Sequence, residues 1–404
     1  MNNIIKSTKE FFTKLMKNKN FKRFYLPISV ALIGVVLIIT APWQAYAPNQ
    51  EFPNHSPPPG VEDTPTPTPG ESPTPPPEES PTPAPTPGLL PGEYNPLTGE
   101  KWDEDLSRNR PWAISINNYR ESLPQQGIAH ADIIYEFITE GGSNTRMIAL
   151  YQDASDAGVI GSVRSAREYM LEIAESYDAM LVHASGRLYD GRELFGSPLT
   201  RRDTIDVNGV WVGRRDNFRK DTLKMQFDAT LVVDGDRLTE RIYDLVIRRE
   251  HKETFEHSLR FREDGAPENG RSAVNVDVKF TGHSKTTTFI YSESNKTYHV
   301  RQYNGDLVDT VNSSSADIRL TFTNVLVIQT DIRLGINTHG HSRVTTVGTG
   351  AGYFICGGKY TEITWSREEG GGYMYYMPDG SQLELGIGKT YICIVMASQD
   401  PVFS

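Results

Sequence analysis

Between residues 53 and 92 the chain reads PNHSPPPGVEDTPTPTPGESPTPPPEESPTPAPTPGLLPG, and no packed core can be built from it. Proline lacks an amide donor and fixes φ at about −65°, so repeated Thr-Pro units support neither helix nor sheet ladders. They favour extended polyproline II at about 3.1 Å per residue, which gives some forty residues a reach on the order of 120 Å. Residues 48–93 are therefore expected to be a disordered Pro/Thr-rich stalk. A spacer through a thick cell wall and a flexible linker of no set length make the same topological prediction: folding starts near Tyr94.

What precedes the stalk is a targeting segment. Residues 1–23 carry Lys6, Lys9, Lys14, Lys17, Lys19, Lys22 and Arg23 against Glu10 alone. Residues 24–43, FYLPISVALIGVVLIITAPW, carry no charge and match the roughly 20 residues of a membrane-spanning helix. The basic flank should stay cytoplasmic and the remainder face outward, a single-pass signal-anchor. The alternative is a cleaved secretory signal: Ala45-Tyr46-Ala47 looks like a cleavage site, but Pro48 follows it directly and the apolar run is long for a signal core. No cysteine follows that run, which excludes lipid attachment there.

The formal net charge is −10, and since the anchor region is positive the outward part is more acidic still. Bulk attraction to nucleic acid or anionic polymers is thereby excluded, and any anion site must be local. The two cysteines, Cys356 and Cys393, could form a disulfide outside the cell or stay as buried thiols; their spacing does not decide. No Cys/His pattern points to zinc, and no cofactor is expected.

The folded remainder has room for about two domains. Residues 94–250 read as an α/β or α+β unit. Arg110–Asn118, Ala131–Thr139 and Thr145–Gln152 have strand character, the last two joined as a hairpin through Gly141-Gly142-Ser143-Asn144. Val159–Val163 is a short strand, a helix carries Met170, Ile173, Ala174 and Tyr177 on one face, and Ala179–Ser185 is a buried strand. Strand, helix, strand predicts a right-handed crossover unit. Ser165 with Glu168 has the form of a capping box, which places Arg164 and Arg167 around a helix N-terminus where phosphate, sulfate or carboxylate binds readily. The opposing reading is that Glu140, Glu136 or Asp132 pairs with these arginines inside the fold.

His183 falls at the end of the buried strand, where α/β sheets keep their ligand crevice, although a lone histidine is more often structural. The run Arg201–Arg219 is dense in Arg and Asp; most of it should be solvated pairing, with Asp203, Arg215 and Asp216 the members most worth testing. Asp236 is read as the N-cap of a further helix. Residues 270–400 alternate in short runs with frequent turns, a mainly antiparallel β domain of sandwich or small-barrel type. Its one polar cluster, INTHGHSR, offers His339 and His341; two such ligands fall short of a metal site, and a solvent-facing loop is the expectation.

YNPLTGE, RPWAISINNYRESLPQQGIAHADIIYEFITEGGSNTRMIALY, IGSVRSAR and YDAMLVHASG closely resemble the YerB-like family of DUF3048 proteins. The resemblance runs from about Tyr94 to the C-terminus and includes VGTGAGYFICGGKYTEITWSRE and PDGSQLELGIGKTYICIV. It implies a Gram-positive cell-surface lipoprotein of unassigned activity with a two-part ectodomain. The family's pattern falls on Asn117, Glu140, Gly141, Gly142, Thr145, Arg146, Arg164, Ser165, Arg167, His183 and Gly186. Two departures stand out. The family's lipid-modified cysteine is missing, its place taken by the apolar anchor. A His-Asn pair that the family tends to carry falls on Ala229 and Thr230, which lowers the expectation of catalysis.

Two functions follow. The first is a non-enzymatic envelope protein, anchored in the membrane through residues 24–43, that binds an anionic wall component or a surface protein through Arg164, Ser165, Arg167, Arg146, Asn117 and Arg215. The second is an envelope hydrolase or transferase with Glu140 or Asp203 as acid or base, His183 as base, and Arg164 and Arg167 holding a substrate anion. No nucleophile elbow, Walker loop or zinc signature supports the second.

Overall fold

The computed structural model describes residues 93–187, 204–206, 213–241, 248–310 and 317–404. The basic segment, the anchor, the stalk and Asp203 lie outside the described residues. Among those described, no helix is long and apolar enough to cross a membrane.

The strands of the first half are β1 (Trp112–Asn117), β2 (Ile133–Ile138), β3 (Thr145–Tyr151) and β4 (Val159–Gly161); then come helix α1 (Glu168–Glu175) and strands β5 (Met180–His183), β6 (Thr204–Asp206), β7 (Gly213–Arg215) and β8 (Leu231–Asp234), followed by α2 (Gly235–Arg241). The second half contributes β9 (Asn275–Lys279), β10 (Thr286–Ser292), β11 (Thr297–Gln302), β12 (Asn324–Thr330), β13 (Gly348–Cys356), β14 (Lys359–Arg367) and β15 (Thr390–Met396), with shorter strands between. The described fold is β-rich, and its α-helices are two short ones.

An eleven-stranded sheet organises the molecule, ten strands in the order Arg271–Ser272, β14, β13, β12, β15, β2, β3, β1, β5, β6, with the eleventh, Met374–Tyr376, pairing with β14 off this path. The two halves meet inside it, where β2 runs parallel to β15 with Ile134 opposite Tyr391 and Glu136 opposite Cys393. The physical cause is visible in the sequence of β1, β2 and β3. Every residue of these strands is buried, as expected of strands covered on both faces and flanked on both edges. The predicted hairpin is present, β2 pairing antiparallel with β3 from Ile133–Leu150 to Ile138–Thr145.

The crossover unit is not. β4 leaves the large sheet for a three-stranded one with β8 and β7, while β5 pairs parallel with β1. Alternation alone could not choose between these partners. The strands of the second half likewise do not close on themselves. β12 to β15 join the large sheet, and β9, β10 and β11 belong to a separate six-stranded sheet. Asp236 sits within the first turn of α2 rather than capping it. Both cysteines are buried and free.

One polar cluster penetrates the core. Glu136 on β2 is fully buried. Its Oε1 accepts from Asn118 Nδ2 (2.9 Å), Thr145 Oγ1 (2.5 Å) and Lys285 Nζ (2.5 Å). Its Oε2 accepts from Thr287 Oγ1 (2.9 Å), Gln302 Nε2 (3.1 Å) and Tyr391 Oη (2.6 Å). Burial lowers the Lys285 ammonium against the pull of Glu136. A buried carboxylate is tolerable only when paired and saturated with donors, and four of these six donors come from the second half of the chain.

Candidate functional site

Residues Ser162–Ala166 wedge between the ends of β1 and β5. Asn117 N donates to Ser162 O (2.9 Å), Arg164 N to Ser115 O (2.9 Å), Ala184 N to Arg164 O (3.0 Å) and Ala166 N to Ser185 O (3.0 Å). On its outer side Val163 N donates to Leu231 O of β8 (2.8 Å). With its backbone consumed on both sides, this segment cannot start a helix at Ser165. The helix instead begins at Glu168 with Arg167 at the N-cap and no side-chain cap bond. The capping box is therefore absent, and Ser165 contributes its carbonyl, which accepts from Arg146 Nη1 at 2.6 Å.

The two arginines of this segment part company. Arg167 turns inward and forms an ion pair with Glu140. Arg146, on β3 and 2% exposed, approaches the same carboxylate at 3.4 Å. His341 reaches it from the second half, its Nε2 3.9 Å from Glu140 Oε1. The INTHGHSR segment is thus not a solvent-facing loop at this residue. His341 is buried while His339 is exposed, and the loop is fastened to the Glu140-Gly141-Gly142 turn. Gly141 N donates to Gly340 O (3.2 Å) and Ser342 Oγ to Thr139 O (2.5 Å). That turn needs its glycines: Gly141 and Gly142 have φ of 69° and 71°, a conformation costly for other residues, and a Cβ on Gly142 would meet Leu334 Cδ1 at 2.6 Å. Among the described residues no group of three or more His, Cys, Asp and Glu is arranged to hold a metal ion.

Arg164 turns outward to Asp228, with Nη2 to Oδ2 at 3.1 Å. Beside it stands Arg215 on β7, its Nη1 donating to Phe227 O (2.7 Å) and its Cζ 3.7 Å from the centre of the Phe227 ring. Burial lowers the Arg215 guanidinium, Asp228 pulls it back up, and the nearby Arg164 lowers it further. Phe227 itself is 70% exposed, the largest value among the exposed large apolar residues that the structure describes.

The turn carrying Phe227 and Asp228 is held from beneath. Arg219 is fully buried; its Nε donates to Ala229 O (2.6 Å), Nη2 to Ser122 O (2.7 Å), and Nη1 to Pro124 O (3.2 Å) and Gln126 Oε1 (3.1 Å). Burial lowers it to about 10. Thr230 Oγ1 donates to Phe227 O (2.8 Å). Ala229 and Thr230, the two positions of departure, thus lie at the end of the turn that carries Phe227 and Asp228.

His183 is fully buried, with Nδ1 2.9 Å from Ser185 O. Asn117 is buried at the end of β1; its carbonyl accepts from Gln125 Nε2 (2.7 Å), while its Oδ1 meets no protein donor. Arg146 Nε, Ser162 Oγ and Arg164 Nε likewise meet no hydrogen-bond partner among the described residues, and buried polar atoms left over by the fold are uncommon enough to need a reason. Asp216 is buried and accepts from Phe218 N (2.8 Å). The candidates thus fall into an inner group (Glu140, Arg146, Arg167, His341) and an outer group (Arg164, Arg215, Phe227, Asp228). Phe227, Asp228 and Arg219 were not singled out from sequence, because nothing local marks an exposed phenylalanine as held in place.

Residues 97–235 match the family described as "Protein of unknown function (DUF3048) N-terminal domain" and residues 276–392 its C-terminal domain. YerB of Bacillus subtilis (strain 168), named as a lipoprotein, is 24% identical over 300 residues, covering 74% of this chain and 85% of its own. The crystal structure of the YerB protein from Bacillus subtilis shares the fold, with a TM-score of 0.61, 21% identity, and coverage of 76% of this chain and 99% of that one. The chain thus belongs to the YerB-like family of DUF3048 proteins.

Proposed function

We propose that this protein is a non-enzymatic module of the cell envelope that binds an anionic wall component or surface partner at Arg164 and Arg215. In this reading residues 24–43 anchor it as a single-pass membrane protein, residues 1–23 stay in the cytoplasm, and the stalk carries residues 94–250 and 270–400 outward into a Gram-positive envelope. Membrane association agrees with the name of its lipoprotein relative.

One observation carries the site. Arg164 pairs with the exposed carboxylate of Asp228 at 3.1 Å, while Arg215, exposed on the adjoining Phe227, donates to a carbonyl and has no ion pair with a described residue, so an incoming carboxylate or phosphate would complete their pairing. Forked, charge-assisted donors suit both groups. In an acidic chain such a local excess of positive charge is what an anion site requires. Glu140 already serves as counter-ion to Arg146 and Arg167, and His183 is buried against its own strand's end; both facts favour binding over acid–base catalysis.

The test is titration of the full-length chain in detergent with anionic wall-polymer fragments. Arg164→Ala with Arg215→Ala should weaken binding by roughly two orders of magnitude, as expected for two charge-assisted contacts. The wild-type chain should release no product. Unchanged affinity in the double variant, or turnover of the fragments, would overturn this reading.

A further inference from the structure

We propose that Lys285 and Asn118 become joined by an amide bond that the protein forms by itself, with Glu136 carrying the protons. The bond is independent of the Arg164–Arg215 site and ties the two halves of the chain together covalently.

The three side chains converge on one atom. Glu136 Oε1 accepts from Lys285 Nζ at 2.5 Å and from Asn118 Nδ2 at 2.9 Å. The carbon that Nζ attacks, Asn118 Cγ, is one bond beyond Nδ2. Asn118 and Glu136 are 0% exposed and the lysine side chain 7%, so bulk water is kept from the reacting groups. Tyr303 steadies both partners: its Oη donates to Asn118 O (3.0 Å), and its ring centre lies 5.2 Å from Lys285 Nζ. Asn118 Oδ1 meets no donor among the described residues, so the amide is held by its nitrogen, the end that must leave.

Amines and carboxamides do not condense readily in water, because the amine is protonated and the amide nitrogen leaves poorly. Burial answers the first difficulty: it lowers the Lys285 ammonium, and a desolvated lysine is a nucleophile. Moving a proton from Nζ to Oε1 also removes two charges from the core. Thr145, Thr287 and Tyr391 donate to Glu136 through hydroxyls, which can turn to accept from a protonated carboxyl. Glu136 answers the second difficulty as a general acid beside Nδ2. The Nζ lone pair bonds to Cγ and the Cγ–Nδ2 bond breaks. Nζ gives up two protons in all, both passed by Glu136 to Nδ2, which leaves as ammonium. Glu136 ends as the carboxylate it began as, and no cofactor or oxidant is needed. Neither cysteine forms a disulfide, so this amide is the cross-link between the halves. A link between positions so far apart in sequence restricts the unfolded chain, and it adds to the ion pair, so the stability lost with Lys285 is at least that of the pair.

The experiment is to unfold the purified full-length chain, digest it with trypsin and weigh the peptides by mass spectrometry. Wild-type chain should show no cleavage after Lys285 and a branched peptide that joins the Asn118 and Lys285 segments, lighter by one ammonia than the two together. Asn118→Asp should form the same bond with loss of water instead. Glu136→Gln, with a cooperative melting transition retained, should leave the segments separate and restore cleavage after Lys285. Full cleavage after Lys285 with a free Asn118 segment in the wild-type chain would overturn the proposal, and that result needs no variant to fold. Lys285 joined to Glu136 with loss of water would overturn the choice of Asn118. A bond that persists in folded Glu136→Gln would overturn the role of Glu136.

Discussion

Replacing Lys285 by methionine tests how the two halves of the chain are held together. Lys285 Nζ lies 2.5 Å from Glu136 Oε1, and the two side chains are 7% and 0% exposed. Removing one partner of a buried ion pair generally costs about 3–5 kcal/mol, because the other charge stays buried. Here five neutral donors remain around Glu136, so the lower end, about 3 kcal/mol, is expected. For a folded unit of this size that is a fall in Tm of roughly 4–5 °C. Glu136→Leu should be worse, not better. It orphans Asn118, Thr145, Thr287, Gln302 and Tyr391 together with Lys285, and at about 1–3 kcal/mol per stranded group the loss should exceed 5 kcal/mol. Calorimetry and urea unfolding of the full-length chain would check both values, and would also show one transition for both halves, since β2 and β15 pair in the same sheet. A loss below about 1 kcal/mol for Lys285→Met, or a Glu136→Leu variant no less stable than Lys285→Met, would refute the view of Glu136 as a donor-saturated keystone.

Burial raises Asp132 to about 7, against the opposing bonds from the Gln152 amide and Asn95. A carboxyl raised in the folded state adds stability that is complete below pH 3.8 and is lost as pH climbs through about 7. Wild-type stability should therefore fall from pH 4 to pH 7 more steeply than that of Asp132→Asn, as read from urea midpoints across that range. Arg219→Lys should cost about 3 kcal/mol, because one ammonium cannot meet four separated acceptors. It should also weaken anion binding by loosening the turn that carries Phe227 and Asp228, and unchanged binding would contradict that support. Burial pushes the Cys356 thiol up to about 12 and Cys393 upward as well. Neither should react with a thiol reagent in the native protein, and both should react after unfolding; fast native labelling would contradict their burial.

Much of this molecule was legible along the chain. The strand character of Trp112–Asn117, the hairpin around Gly141-Gly142 and the buried strand ending at His183 follow from local pattern, because apolar runs and glycine turns act within a few residues. Pairing of the neighbouring arginines with Glu140 is one of the two arrangements the sequence leaves open, and Arg167 and Arg146 take it. What local pattern could not supply was partnership. Ser165 and Glu168 have the residues of a capping box, yet the segment's amides and carbonyls are taken by Ser115, Ala184 and Ser185, strands distant in sequence. His341 looked solvent-facing until the loop met Glu140, some two hundred residues earlier.

The sequence by itself determined the order of compositions along the chain: a basic run, an uncharged apolar run and a proline-rich stretch, ahead of a region from Tyr94 whose apolar runs and glycine turns call for strands. Composition and backbone chemistry suffice for that, since they act residue by residue. Tertiary structure alone decided that strands of both halves enter one sheet and that Glu136 takes a lysine from the second half. It also decided that Arg164 pairs with Asp228 beside Phe227 while Arg167 turns inward to Glu140. Those choices depend on which surfaces exclude water together, and a one-dimensional pattern records only that a residue prefers burial, never beside what.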